Sequence, residues 1–286
     1  MQISEIPRTA AEIEAILGGA KVYPRSIQHA GGEVLCCAKD AHQHYLPAIF
    51  NPQLPSFLRD NFSGETQDIS TTLAIKWCLP SHANAKKLRA LFPWTAPQTL
   101  GTKPTLAIRD LIGLAAPAIV QAHAARDWDF ALAFEAAPDE LAKLARTMDE
   151  ALDAATFAAF QENYRQPWAM RAADLDGIGA EEKYIKLGFT EFAFAGDVTD
   201  FQPGESDSWL RAAMAVVAQQ APDLSQEIQA NSFFETWTAK TETGAWRWRD
   251  RIYRMLLDNE DLHFQLIHAA AEPLFAAFQN DPLRNR

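Results

Sequence analysis

The sequence predicts a helix-rich α/β protein whose clearest strands gather near the N-terminus. Three observations carry that expectation. Apolar runs of strand length, bounded by turn residues, occur between Glu33 and Leu79. From Pro117 onward, proline or a capping threonine repeatedly precedes apolar residues at helical spacing. Of the 286 residues, 48% are hydrophobic and 22% charged, enough for a packed core.

Thr9 is a fitting N-cap for a helix over Ala10–Leu17, and Gly18-Gly19 stops it. Glu33–Cys37 and Tyr45–Phe50 flank a polar turn, Lys39–His44, and read as a hairpin. Pro52, Pro55 and Gly64 mark loop, and Thr71–Leu79 reads as one more strand. Ser81 caps a helix that ends at Leu91, ahead of Pro93, because a residue before proline is pushed out of helical geometry. The loop Phe92–Thr105, rich in Pro, Thr and Gly, places a boundary between an N-terminal α/β region, 1–104, and a helix-rich region, 105–286.

Pro117 opens a helix to about Arg126, and Pro138 opens another. Thr147 and Glu150 have capping-box spacing for a helix through Asn163. Ala180–Leu187 is a short helix closed by Gly188, and Phe189–Phe194 alternates as a strand does. Helices are expected over Ser208–Gln220, Leu224–Lys240, Ala245–Leu257 and Glu260–Gln279, so helix should outweigh strand well over twofold.

The net charge of −11 opposes binding to phosphate backbones and argues against nucleic acid as a partner. No apolar stretch reaches the roughly 18–20 residues of a membrane span. Met1–Arg8 lacks the basic-then-apolar pattern of a secretory signal, which points to the cytoplasm. Cys36, Cys37 and Cys78 are odd in number, two of them adjacent, a poor disulfide framework. Reduced thiols are the simple reading.

Several segments carry a family likeness. They are Tyr23–Ser26, Leu88–Pro97 (Leu-Arg-Ala-Leu-Phe-Pro-Trp-Thr-Ala-Pro), Ile112–Pro117 (Ile-Gly-Leu-Ala-Ala-Pro) and Glu150–Arg165. In this order and spacing they resemble landmarks of the tagaturonate epimerase family from about Tyr23 to Asp197. Weaker likeness resumes at Ser208–Val217, Ala221–Ile228 and Arg249–Glu260. The resemblance implies an α/β barrel that epimerises keto-uronic acids with a bound divalent metal. The chain passes in a few residues, near Phe201–Asp207, over what is a long central stretch in the family. An incomplete or rebuilt TIM-barrel-like fold is therefore expected, with a small N-terminal β-containing region, because barrel sites draw on the ends of several strands.

The motifs also depart from the family pattern. Asp110 is kept, but the arginine, threonine and histidine positions are Leu111, Ala116 and Ile119, which neither bind metal nor hydrogen-bond a sugar acid. The Asp-His-Leu-Lys pattern is Ala173-Asp174-Leu175-Asp176, and an expected Ile-Asp-Pro-type turn is Phe194-Ala195-Gly196. The resemblance leaves Asp110, Glu162 and Asp174 as candidate catalytic carboxylates, with Arg109, Gln161 and Arg165 as candidate substrate-binding residues. No resident cofactor is expected, except a divalent metal if the family reaction persists. A small sugar acid is the implied ligand, and homo-oligomerisation stays open.

Other constellations have plainer readings beside functional ones. His42 and His44, near Asp40, share a face if extended but more simply form a polar turn. Glu260 with His263 and His268 with Glu272 have helical spacing for surface pairs. Trp237, Trp246 and Trp248, with Phe233, Phe234 and Tyr253, lie beside Arg247, Arg249, Arg251 and Arg254. They suit a core rim or a stacking surface. Three functions compete: a keto-uronate epimerase with weak or lost turnover, a non-catalytic scaffold that binds a small molecule or a protein, and an unrelated catalytic function in a rebuilt pocket.

Overall fold

The structure, a computed structural model, describes residues 6–101, 103–176 and 179–194, with 264, 265, 267, 268, 271, 272, 275, 276 and 279. The expected helices at Ser208–Gln220, Leu224–Lys240 and Ala245–Leu257 lie outside the described residues. So do the join at Phe201–Asp207, the tryptophan–arginine cluster, Glu260 and His263. Two compact units make up the chain: Met1–Ala116 with Ala131–Ala195, and Pro117–Phe130 with Gly196–Arg286.

The first unit begins with α1 (Ala10–Ile16). Its capping box is complete, with Thr9 Oγ1 accepting from the Glu12 N–H and the Glu12 carboxylate accepting from the Thr9 N–H. Then come β1 (Lys21–Val22), β2 (Gln28–Ala30), β3 (Glu33–Leu35), β4 (Ala38–Lys39) and β5 (His44–Phe50). After them follow α2 (Phe57–Asn61), β6 (Gly64–Ser70) and β7 (Leu73–Cys78). These seven strands form one antiparallel sheet. The expected hairpin is present, with Val34 opposite Ile49 and Ala38 opposite Tyr45 around a turn closed by Asp40 N–H to Gln43 O.

This sheet is buried on both faces. Ile13, Val34, Cys36, Ile49 and Ile75 form one core. Leu35, Leu46, Ala48, Leu58, Cys78, Leu88 and Phe160 form the other. Adjacent residues such as Val34 and Leu35 therefore serve opposite cores, as the two-residue period of a strand requires. Strand β6 corrects the loop reading of this stretch. All seven of its residues are exposed, so it has no apolar face for periodicity to reveal. Gly64 fits there because a Cβ would stand 2.3 Å from the Trp77 carbonyl oxygen on the paired strand.

Next come α3 (His82–Leu91, capped by Ser81), β8 (Thr105–Arg109) and α4 (Ala116–Ala124), then β9 (Ala131–Ala136) and α5 (Pro138–Lys143). The series closes with α6 (Met148–Gln161), β10 (Trp168–Leu175), α7 (Glu182–Leu187) and β11 (Glu191–Phe194). Pro138 opens α5 and the Thr147–Glu150 capping box opens α6, both as the sequence signals. Strands β8, β9, β10 and β11 form a parallel sheet in sequence order.

Strands β8, β9 and β10 escaped the sequence reading. Strands of parallel sheets are commonly packed on both faces and read as unbroken apolar runs, and alanine-rich runs such as Ala131–Ala136 resemble helix. Among the described residues strands take up nearly as much chain as α-helices. The strong helical excess is not found there, and the fold is a mixed α/β one.

In the second unit, His123 is buried, with Nε2 3.3 Å from the Phe130 carbonyl oxygen. Its ring packs edge-on to Phe130 and Phe275 at 5.3 and 5.7 Å between centroids. Glu272 pairs with Arg126, and His268 stacks on Phe264. No described helix is long and apolar enough to cross a membrane.

Candidate functional site

Parallel register sets one row of charge across the second sheet. Arg109 on β8 stands beside Glu135 on β9, Glu135 beside Arg171 on β10, and Arg171 beside Glu191 on β11. Neighbours in register share a face, so the four side chains project together. By alternation, Phe134, Trp168 and Met170 take the opposite, buried face.

The row is closely bonded. Arg109 Nε and Nη2 donate to Glu135 Oε1 at 2.8 and 2.6 Å. Its Nη1 donates to Glu140 Oε2 at 2.9 Å and lies 3.1 Å from Asp174 Oδ2. Arg171 Nε and Nη2 donate to Glu191 Oε2 at 3.0 and 2.8 Å, and its Nη1 lies 3.7 Å from Glu135 Oε2. Arg171 Nη2 also reaches the Thr105 hydroxyl at 3.3 Å. Burial works against the charge on Arg109, but Glu135 and Glu140 more than offset it, so the guanidinium stays protonated. Two cations thus face four carboxylates.

Asp174 enters this group through a distortion. The β10–β11 register shifts between Ala172 and Leu175, and Asp174 has φ of 56°, in the left-handed region. A bulge re-aims a side chain in this way, at a backbone cost of about 1–3 kcal/mol. Its carboxylate is 57% exposed, at the rim of the row.

Asp110 follows β8 directly and has a different set of partners. Its carboxylate accepts from the N–H groups of Gly113, Ala115 and Ala116, each at 2.9 Å, and so shapes the turn that leads into α4. Burial raises its pKa, and the three N–H donors pull the other way. Gly113 has φ of +77°, and a Cβ there would lie 2.8 Å from Ala154 Cβ. Arg146 fixes the same turn by donating to the Leu111 carbonyl oxygen at 2.5 Å. Leu111 thus serves the turn through its backbone, and Ile119 is buried.

Glu162, Gln161 and Arg165 form a second group at the C-terminal end of α6. Glu162 accepts from Gln161 Nε2 at 3.1 Å and from Arg25 Nη1 at 3.4 Å, and burial raises its pKa. Arg165 donates to Asn163 at 2.7 Å and to Gln28 at 2.8 Å, and its guanidinium lies 3.9 Å from the centre of the Trp94 ring.

The six residues singled out by sequence therefore divide. Arg109 and Asp174 are in contact, with Asp110 next along the chain, while Glu162, Gln161 and Arg165 gather around Arg25, Gln28 and Trp94. Sequence reasoning missed Glu135, Glu140, Arg171 and Glu191. Glu135 did leave a signal, since it is the lone charge in the apolar run Ala131–Ala136. The hollow of about 1020 Å³ in the first unit lies elsewhere, beside Lys21, Tyr45, Glu65 and Trp77. Tyr45 there donates to Asp40, and Trp77 to Gln67.

The donor set does not fit a divalent metal. Among the described residues no group of three or more His, Cys, Asp or Glu side chains is arranged to hold one. His44 stacks on Tyr23, and the strand-end carboxylates turn toward guanidinium groups.

Comparison with known proteins gives a consistent picture. A family model described as tagaturonate epimerase matches residues 23–202. Solved structures of fructuronate-tagaturonate epimerase from Cohnella laeviribosi are similar, each with a TM-score of 0.55. The complex with one glycerol is 29% identical over 64% of this chain and 36% of that chain. The complex with two glycerols is 26% identical over 77% and 43%, respectively. The native structure is 22% identical over 96% and 52%, a likeness of fold alone. The chain thus spans about half, or less, of the length of these solved chains. No curated protein matches it.

Proposed function

This chain belongs to the tagaturonate epimerase family, and on that premise we propose that it keeps a sugar-acid epimerase scaffold with strongly reduced turnover. Four parallel strands in sequence order are what consecutive β/α units of a barrel look like, which supports reading the fold as an incomplete or rebuilt TIM-barrel-like one. Arg109, Glu135 and Asp174 then lie toward the C-terminal ends of β8, β9 and β10, where such folds carry their chemistry, while Arg171 falls mid-strand and Glu191 opens β11. A keto-uronate of the tagaturonate or fructuronate kind, met in the cytoplasm, is the ligand class.

Epimerising a carbon near a carbonyl needs the carbonyl polarised and groups placed to move a proton or rearrange a bond. Asp174, strained and exposed, is the carboxylate best placed to meet a ligand. Asp110 supports the site from the turn after β8, while Glu162, paired with Arg25 at the end of α6, belongs to the separate group. A uronate carboxylate also needs a guanidinium or ammonium clamp. The observation that carries reduced turnover is that both guanidiniums of the row are already committed, Arg109 to Glu135 and Glu140, and Arg171 to Glu191. An incoming acid must displace one of these partners while facing an excess of negative charge. Loss of a single stabiliser of developing charge typically costs about 10²–10³ in rate.

The test is incubation of the full chain with tagaturonate, with and without manganese, zinc or nickel, followed by chromatography for fructuronate. No conversion is expected. Binding of tagaturonate without conversion would favour a non-catalytic scaffold. Robust conversion abolished by Asp174→Asn would overturn the reading of reduced turnover.

A further inference from the structure

We propose that the hollow beside Tyr45 and Trp77 is a binding site for an uncharged saccharide, separate from the charged row of the parallel sheet. Its floor is aromatic. Trp77 on β7 stands opposite Pro47 on β5, and Tyr45, two residues before Pro47, shares its face by strand alternation. The two rings meet edge to face, 5.1 Å apart between centroids and at 68°. Trp77 leans on the core formed by Ile13, Leu17 and Ile75. Helix α1 ends at Ile16, and the chain turns through Gly18 and Gly19, both at positive φ. Both rings are therefore left half-buried and line the space beyond the helix end.

The walls are held in place before any ligand arrives. On one side the Tyr45 hydroxyl donates to Asp40 Oδ2 at 3.0 Å and accepts from Gln43 Nε2 at 2.7 Å. Asp40 Oδ1 in turn accepts from the N–H groups of His42 and Gln43 at 2.7 and 2.9 Å. On the other side Asn84, only 1% exposed, donates to the Ser63 and Leu79 carbonyl oxygens at 2.9 Å each and accepts from the Ser63 N–H at 2.8 Å. Groups fixed in this way lose little further freedom on binding, so more of the contact energy appears as affinity. A space of about 1020 Å³ is at the large end of small-molecule sites and has room for a saccharide of one or two rings.

The lining selects for an uncharged ligand with hydroxyls. Lys21 and Lys39 face the hollow together with Asp40 and Glu65, so its charges balance although the whole chain carries −11. An ion of either sign meets its like there as well as its opposite. Among the described residues neither the Gln43 side-chain oxygen nor the Glu65 carboxylate has a hydrogen-bond partner, and both accept from hydroxyls. A pyranose combines an apolar C–H face, which suits an aromatic floor, with a rim of hydroxyls that donate and accept. A flat base fits less well, because rings at 68° make a corner and not the parallel slot that would sandwich it. The assignment holds whether or not the charged row turns over a keto-uronate.

Saturation-transfer NMR of the full chain with glucose, galactose, mannose, xylose, cellobiose and lactose, each up to about 10 mM, tests this. At least one of these sugars is expected to bind, with saturation strongest at its ring C–H protons. Trp77→Ala should weaken that binding about tenfold or more. Gln43→Ala and Glu65→Ala should each weaken it about threefold. Asp174→Asn, in the charged row, should leave it unchanged. Circular dichroism checks the folding of each variant. Should Trp77→Ala not fold, Gln43→Ala and Glu65→Ala, both at exposed positions, decide. The proposal is overturned if none of the six sugars binds, or if binding is indifferent to the hollow variants or is lost in Asp174→Asn. Adenosine that binds in a Trp77-dependent way where no sugar does would overturn it as well.

Discussion

Asp153 of α6 lies 2.7 Å from His82 Nδ1 at the start of α3. Its other carboxylate oxygen accepts from Arg89 Nη1 at 2.9 Å, and that same nitrogen reaches the Thr156 hydroxyl. One buried carboxylate therefore ties both ends of α3 to the middle of α6. Replacing Asp153 with alanine leaves the largely buried Arg89 without its counter-charge, at an expected cost of about 2–4 kcal/mol. Urea denaturation measures it. A loss no greater than that of a surface substitution would show that the pair is incidental.

The turn after β8 rests on Asp110 and Gly113. Asp110→Ala removes the acceptor of three backbone N–H groups and should lower stability by about 1–3 kcal/mol. Gly113→Ala should be at least as damaging, because it combines a left-handed backbone with a 2.8 Å approach to Ala154. Thermal melts of both variants check this. An unchanged melt for Asp110→Ala would leave its three hydrogen bonds without energetic weight.

Glu162 carries a pH signature. Burial raises its folded pKa above the ordinary 4.5, so the folded state holds the proton more tightly than the unfolded chain does. The stability gained from the protonated form is complete below the unfolded pKa and is lost as pH rises through the folded one. Glu162→Gln keeps the shape without the charge. Its stability relative to wild type should therefore improve between about pH 4 and pH 8. Denaturant midpoints at the two pH values settle the sign. A relative decline toward pH 8 would mean that the pairing with Arg25 outweighs burial.

The three thiols should be silent in the native protein. Burial pushes Cys36 up to about 12 and Cys78 up to about 11, and raises Cys37 well above its ordinary value. The thiolate is the reactive form, so a disulfide reagent near neutral pH should modify none of them until denaturant is added. Rapid modification of any one in folded protein would contradict the burial of that thiol.

Local signals were the legible part of this sequence. Thr9, Ser81, Pro138 and Thr147 with Glu150 each mark a helix start through chemistry confined to four residues, and each marks it correctly. The hairpin of β3 and β5 was legible because its strands are close in sequence. The charged row was not, because register brings Arg109 to Glu135 across 26 residues and Arg171 to Glu191 across 20, and no local pattern encodes register. Likeness to a family drew attention to Asp110, Arg109 and Asp174. It gave no hint that Glu135 and Arg171 stand between them.

Strand β10 could slide by two residues against β9 and still present apolar side chains to the buried face. Trp168, Met170 and Ala172 are interchangeable there as far as hydrophobicity goes. A slide of that size would, however, set Ala169 or Ala173 opposite Glu135 in place of Arg171. The carboxylate would lose one of its cations, and Glu191 would be left behind with it. The alternation of sign from Arg109 to Glu191 thus works as a vernier scale, rejecting the misalignments to which greasy parallel strands are blind.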